Sequence, residues 1–209
     1  MKYGDEHLDI SGMQVSIARA ISRVTPAPLV NLYVAVILAL WSPIGLGPVL
    51  SPLLAILICV ALMVVIPVLP IMLEAWRGSV DLDVSAREQR AKFFMFSLVC
   101  YVLAYAIYTV LECPIMSSLA VAYFFVTLGI MLVSFKTKVS VHVAGVAGPG
   151  TGLIVIFGVN ALPVILLWIV VGWARTVLRQ HSPTQSLTAL ILAVVISYIS
   201  YSITYVPYV

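Results

Sequence analysis

The chain has 209 residues, 63% of them hydrophobic and 9% charged, against about 45–50% and about 25% in water-soluble domains. A soluble globule and a disordered chain are excluded. The formal net charge of +3, from eleven Lys and Arg and eight Asp and Glu, leaves too few cations to track a nucleic-acid backbone, so no nucleic-acid partner is expected.

Residues 1–25 begin polar and continue as SGMQVSIARAISRV, where Met13, Ile17, Ala20, Ile21 and Val24 recur at helical spacing and Arg19 and Arg23 stand four apart. The pattern predicts an amphipathic helix lying on a membrane surface. It does not read as a secretory leader, because prolines flank the next apolar run and no small-residue cleavage site precedes it. Residues 26–209 read as one transmembrane domain. A bilayer-crossing helix needs about 20 mostly apolar residues, and seven runs come close: Ala27–Gly45, Val49–Leu73, Phe93–Leu111, Ile115–Phe135, Val139–Phe157, Ala161–Leu178 and Gln185–Tyr205. The expected fold is an all-α, polytopic bundle of six to seven spans. Gly45 to Pro48, Glu112 to Pro114 and Gly158 to Asn160 predict tight helical hairpins. Ala144, Gly148 and Gly152 form a stripe of small residues that admits a neighbouring helix, and Pro149 predicts a bend. Tyr198, Tyr201, Tyr205 and Tyr208 suit an interfacial aromatic belt. Cys59, Cys100 and Cys113 follow no metal or redox spacing and read as packing residues.

Assigning the loops alternately to two sides places all eleven basic residues on one: Lys2, Arg19, Arg23, Arg77, Arg87, Arg90, Lys92, Lys136, Lys138, Arg175 and Arg179. The other side carries only Glu112. The positive-inside tendency then puts the basic side and the amino terminus in the cytoplasm, in a multi-pass cell-membrane protein. An anion site on that face would collect the same cations; Lys2, Arg19 and Arg23, outside any such motif, carry the orientation argument more cleanly.

Three polar segments project from the basic side: Gly78–Lys92, Lys136–His142 and Ala174–Gln185, and two of the three histidines lie in them. Permanent cations together with imidazoles are what a phosphate or carboxylate site requires. In KVSVHVAG, Lys138, Ser140 and His142 alternate at a helix start, where free N–H groups attract an anion. Ser140 reads equally as an N-cap and Lys138 as an interfacial anchor. An ionisable residue in the first turn of a span, such as His142, points to function. In WARTVLRQHSPTQ, Ser182-Pro183 starts a helix, and Ser182 with Gln185 forms an S-x-x-Q capping box that would account for Gln185 by itself. Lipid headgroup contact would account for Arg175 and Arg179. Asp81, Asp83, Glu88, Arg87, Arg90 and Lys92 read most simply as a solvated loop with weak local salt bridges.

These residues resemble the type 2 phosphatidic acid phosphatase superfamily, which also includes vanadium haloperoxidases. Its motifs are Lys, six residues, Arg-Pro; then Pro-Ser-Gly-His; then Ser-Arg, five residues, His, three residues, Asp. Ser140 and His142 match the second motif, and Arg175 and His181 match the third at its spacing. Val139, Val141, Ala174 and Gln185 depart from them, and the first motif is absent in its usual form, with Arg87 and Arg90 the nearest substitutes. The pattern K-x-S-x-H with R-x5-H-x3-Q looks like a divergent prokaryotic branch, and it covers about a third of the chain, from Lys138 onward.

The resemblance implies a metal-independent, cofactor-free phosphatase acting on an isoprenoid or glycerolipid phosphate, monoester or diphosphate. His181 would attack phosphorus to give a phosphohistidine and His142 would protonate the leaving alkoxide. Arg175, Lys138, Ser140 and Arg87 or Arg90 would hold the phosphoryl oxygens. Gln185, in place of the Asp, would orient His181 without supplying charge. The rival reading is a non-catalytic lipid-phosphate-binding protein or small transporter. A membrane prenyltransferase needs two acidic clusters for magnesium diphosphate, and only Asp81 and Asp83 come close. His7, in the amino-terminal segment, leaves no histidine metal site. Membrane lipids are the expected surroundings, and self-association is left open.

Overall fold

The computed structural model describes residues 1–205, and Tyr208 of the expected tyrosine belt lies outside them. Among the described residues the chain is all-α, without strands. The helices are α1 (Met13–Val24), α2 (Ala27–Trp41), α3 (Pro52–Trp76), α4 (Arg90–Val110), α5 (Pro114–Ser134), α6 (Val141–Phe157), α7 (Val164–Val177) and α8 (Pro183–Thr204). Single 3-10 turns precede α1 (Gly4–His7) and α4 (Arg87–Gln89), and another links α6 to α7 (Gly158–Ala161). Proline opens the first turn of α2, α3, α5 and α8, where its missing N–H costs nothing.

All seven expected runs are helical, but they are not seven spans. Five helices, α3 to α6 and α8, are long and apolar enough to cross a membrane, and α1 with α2 makes a sixth only as a pair bent by 56°. The 14 residues of α7 reach about 21 Å at 1.5 Å per residue, short of the roughly 30 Å hydrocarbon core. The chain is a multi-pass helical membrane protein.

The amino-terminal segment forms the expected helix but docks on the bundle. Val15 and Ala18 of α1 are buried against Ala174 and Leu178, while Met13, Ile17 and Val24 stay exposed. Its arginines are already paired, Arg19 with Asp5 at 2.6 Å and Arg23 with Glu6 at 2.6 Å. They are therefore weaker witnesses to orientation than free cations would be.

Inside the bundle α6 is central, with every residue from Val143 to Leu153 buried. Its small residues are the reason. A Cβ on Gly148 would crowd Ser197 and come into contact with Val126, one on Gly150 would press on Trp168, and one on Gly152 on Tyr201, so α7 and α8 approach its backbone closely and α5 packs against it. Tyr201 is accordingly a core residue and not a belt residue, whereas Tyr198 is exposed. In α3 a π-turn spans Val60–Val65. Pro67 cannot donate to the Met63 carbonyl four residues back, and Asn31 Nδ2 of α2 donates to it instead at 2.8 Å, satisfying a carbonyl that lipid would leave bare. The three cysteines are free and buried, as packing residues should be.

Candidate functional site

Four distant parts of the chain meet at one end of the bundle. Leu82 N–H donates to Lys2 O at 2.9 Å, and Gly4 N–H to Asp83 Oδ2 at 3.3 Å. Arg90 Nε donates to Val84 O at 2.8 Å and its Nη1 to Val139 O at 2.9 Å, so this buried guanidinium ties the 78–89 loop to the head of α6. Arg175 Nη1 donates to Ser22 Oγ of α1 at 2.7 Å. Ser85 Oγ donates to Gln180 Oε1 at 3.3 Å, joining the same loop to the turn after α7. The three polar segments that share a side in the sequence are thus joined in space, together with the amino terminus.

The Arg-to-His spacing of the third segment has a local cause. Arg179 adopts a left-handed conformation (φ 53°). Its N–H donates to Thr176 O, and Gln180 N–H donates to Arg175 O, each at 3.0 Å. This is the paired bonding of a Schellman helix end. The chain folds back, His181 N–H reaches Arg175 O at 3.3 Å, and both side chains are buried. Gln185 is occupied elsewhere: its Oε1 accepts from Ser182 N–H at 3.1 Å while Ser182 Oγ accepts from Gln185 N–H at 3.2 Å. The capping box takes up the side-chain carbonyl of Gln185, and His181 Nδ1 is buried with no hydrogen-bond partner. The expectation that Gln185 orients His181 is corrected.

Ser140 caps α6 and is completely buried, with Oγ accepting from Val143 N–H at 3.3 Å; the structure uses it as a cap. His142 follows in the first turn of α6, its side chain 13% exposed. Arg87 turns away, donating to Lys136 O at 2.6 Å and pairing with Glu88 at 2.9 Å. Of the two arginines offered for the first motif, Arg90 joins the cluster and Arg87 does not.

Sequence reasoning missed Asp83. Its side chain, 4% exposed, lies 3.3 Å from Arg175 Nη2 (Oδ2) and 4.0 Å from His142 Nε2 (Oδ1). Asp81, two residues away, instead builds the loop by accepting from the N–H groups of Asp83 and Ser85. Nothing local separates the two aspartates, since Gly4, His142 and Arg175 come from three other regions. Ser22, beneath Arg175, was equally invisible.

Arg90, Lys138, His142 and Arg175 all lie within Coulombic reach of His181. Burial first, and then this ring of positive charge, drives the His181 imidazole from its ordinary 6.5 to about 2. Burial, with Arg90 and Arg175 nearby, also lowers Lys138 from the usual lysine range. A cavity of about 560 Å³ runs from this end into the bundle. Asp83, Arg90 and His142 line its polar end, and Phe93, Tyr101 and Val126 are among its predominantly apolar walls. Among the described residues, no group of three or more His, Cys, Asp or Glu side chains is placed to hold a metal ion.

No protein-family model, no curated protein and no solved structure matches this chain.

Proposed function

We propose that the chain is an integral-membrane phosphatase of lipid phosphates, monoester or diphosphate, and a divergent relative of the type 2 phosphatidic acid phosphatases. One observation carries the reading. His142 and His181, from two separate motifs, lie in one cluster with Arg90, Lys138 and Arg175, and an apolar cavity ends on His142. A cationic head with an apolar pocket behind it suits an anionic headgroup with a hydrocarbon tail.

The chemistry divides between the histidines. A nucleophile must have its lone pair free, and His181 is held neutral by its surroundings. It attacks phosphorus as the bond to the lipid oxygen breaks, and His142 gives its proton to that oxygen, releasing a lipid alcohol and a phosphohistidine. Water then attacks phosphorus, returns a proton to His142 and frees phosphate from His181. Arg90, Lys138 and Arg175 offset the charge on the phosphoryl oxygens. The positive-inside tendency places this end in the cytoplasm.

His181→Ala is expected to abolish phosphate release from prenyl and glycerolipid phosphates in detergent while the protein still folds. Wild-type protein that releases no phosphate from any such lipid, with or without divalent metal, would sink the proposal. A second reading has its own support, because His181 Nδ1 has no orienting partner: a protein that binds lipid phosphates without hydrolysing them. Lipid-phosphate binding without turnover would favour it.

A further inference from the structure

The geometry points to Asp83 as the positioning carboxylate of this site: it supplies the negative charge that a protonated His142 needs in order to donate to the departing lipid oxygen. The inference rests on the phosphatase reading and deepens it. Arg175 of α7 and Arg90 of α4 both act on His142 electrostatically, and Ser22 of α1 faces it through its backbone. A ring with cations on two sides needs a counter-charge nearby whenever it carries a proton. Asp83 is the one carboxylate within 4.0 Å of His142 among the described residues. Three contacts hold it: the Gly4 N–H on Oδ2, Arg175 Nη2 beside the same oxygen, and its own backbone N–H donating to Asp81 Oδ1. At 4.0 Å its Oδ1 is too far to hydrogen-bond His142 Nε2, so the Nε2 proton stays free for another acceptor while the charge still acts on the ring.

The position matters because the chain has no carboxylate where the related motif ends. Gln185 carries no charge, and its side-chain carbonyl is taken up by the helix cap. Asp83 therefore serves the proton donor and not the nucleophile. During attack by His181 the proton passes from His142 to the lipid oxygen. During hydrolysis of the phosphohistidine, the attacking water returns one to His142, again beside Asp83. The carboxylate does not touch phosphate and, carrying the same sign of charge, repels it.

That arrangement gives a signature a merely structural residue would not. Asp83→Asn is measured with a long-chain alkyl phosphate, whose alkoxide needs a proton to leave, and with 4-nitrophenyl phosphate, whose leaving anion does not. The expected result is a loss in kcat of about 10²- to 10⁴-fold on the alkyl substrate, a much smaller loss on the aryl substrate, and inhibition by inorganic phosphate that is unchanged or stronger. Equal losses on both substrates, or an unchanged kcat on the alkyl phosphate, would overturn the role. Asp83→Glu keeps the charge and should restore part of the alkyl turnover. If the asparagine variant does not fold, the same alkyl-to-aryl ratio is read on Asp83→Ser, which also removes the charge, and an unchanged ratio there counts against the proposal. Wild-type protein inactive on both substrates brings down the phosphatase reading itself, a result distinct from failure of Asp83 in an active enzyme.

Discussion

Within one end of the bundle, His181 is ringed by Arg90, Lys138 and Arg175, whereas His142 has Asp83 beside it. Two copies of one side chain thereby sit in different electrostatic surroundings, and on the proposed reading that difference separates an acid from a nucleophile. The surroundings of His181 also bear on stability. In the unfolded chain the imidazole takes up a proton near pH 6.5, but in the fold it resists until about pH 2. Across that window the unfolded state binds more protons, so stability is complete above about pH 6.5 and declines as pH falls, by up to about 1.4 kcal/mol per unit. The melting temperature in detergent should therefore drop between pH 7.5 and pH 5, and His181→Gln should flatten that drop. An identical pH slope in the variant would show that His181 is not the group responsible.

At the scale of the element, the end of α7 sets the site. The Schellman bonding returns His181 to Arg175, and it needs a left-handed residue, which here is Arg179. A side chain in that conformation costs about 1 kcal/mol that glycine avoids. Arg179→Gly is therefore expected to raise stability by about 1 kcal/mol, measured by denaturation in detergent; a loss would mean that the exposed arginine makes a contact worth more than the strain. This turn also marks how far the site could be read in advance. Ser182-Pro183 and Gln185 announced the cap, because capping is written in neighbouring residues, whereas Arg175 and His181 were put together by the resemblance to the third motif. Asp83 was not legible, since its partners Gly4, His142 and Arg175 are joined to it only by tertiary packing. That Arg90 and not Arg87 joins the cluster likewise follows from tertiary contacts, since Arg90 reaches the carbonyls of Val84 and Val139.

Over the whole molecule, the apolar runs were legible and their lengths less so. Pro26 and Pro28 allow the turn that separates α1 from α2, and the Gly158–Ala161 turn shortens the approach to α7, so two of the seven runs do not make full spans alone. What the assembly creates, and no run could reveal, is the cavity of about 560 Å³ between the cationic end and the core. If it receives the lipid tail, each added methylene that becomes buried should tighten binding by up to about 0.8 kcal/mol, roughly fourfold, until the cavity is filled. Ser97 lies on its wall. Ser97→Trp should raise KM for long-chain phosphates while leaving short-chain ones nearly unaffected; a uniform rise across chain lengths would place the tail elsewhere.

The crowding of small residues along α6 reaches beyond packing. Of the five long spans, this helix has the lowest mean hydropathy, 1.6, and the largest share buried inside the protein, 61%. Lipid alone offers it the weakest hold during insertion, and its neighbours offer the strongest. Membrane biogenesis should therefore depend on α5 and α8 closing around it. The helix that carries His142 is the one least able to enter a bilayer unaided, which couples completion of the site to completion of the bundle.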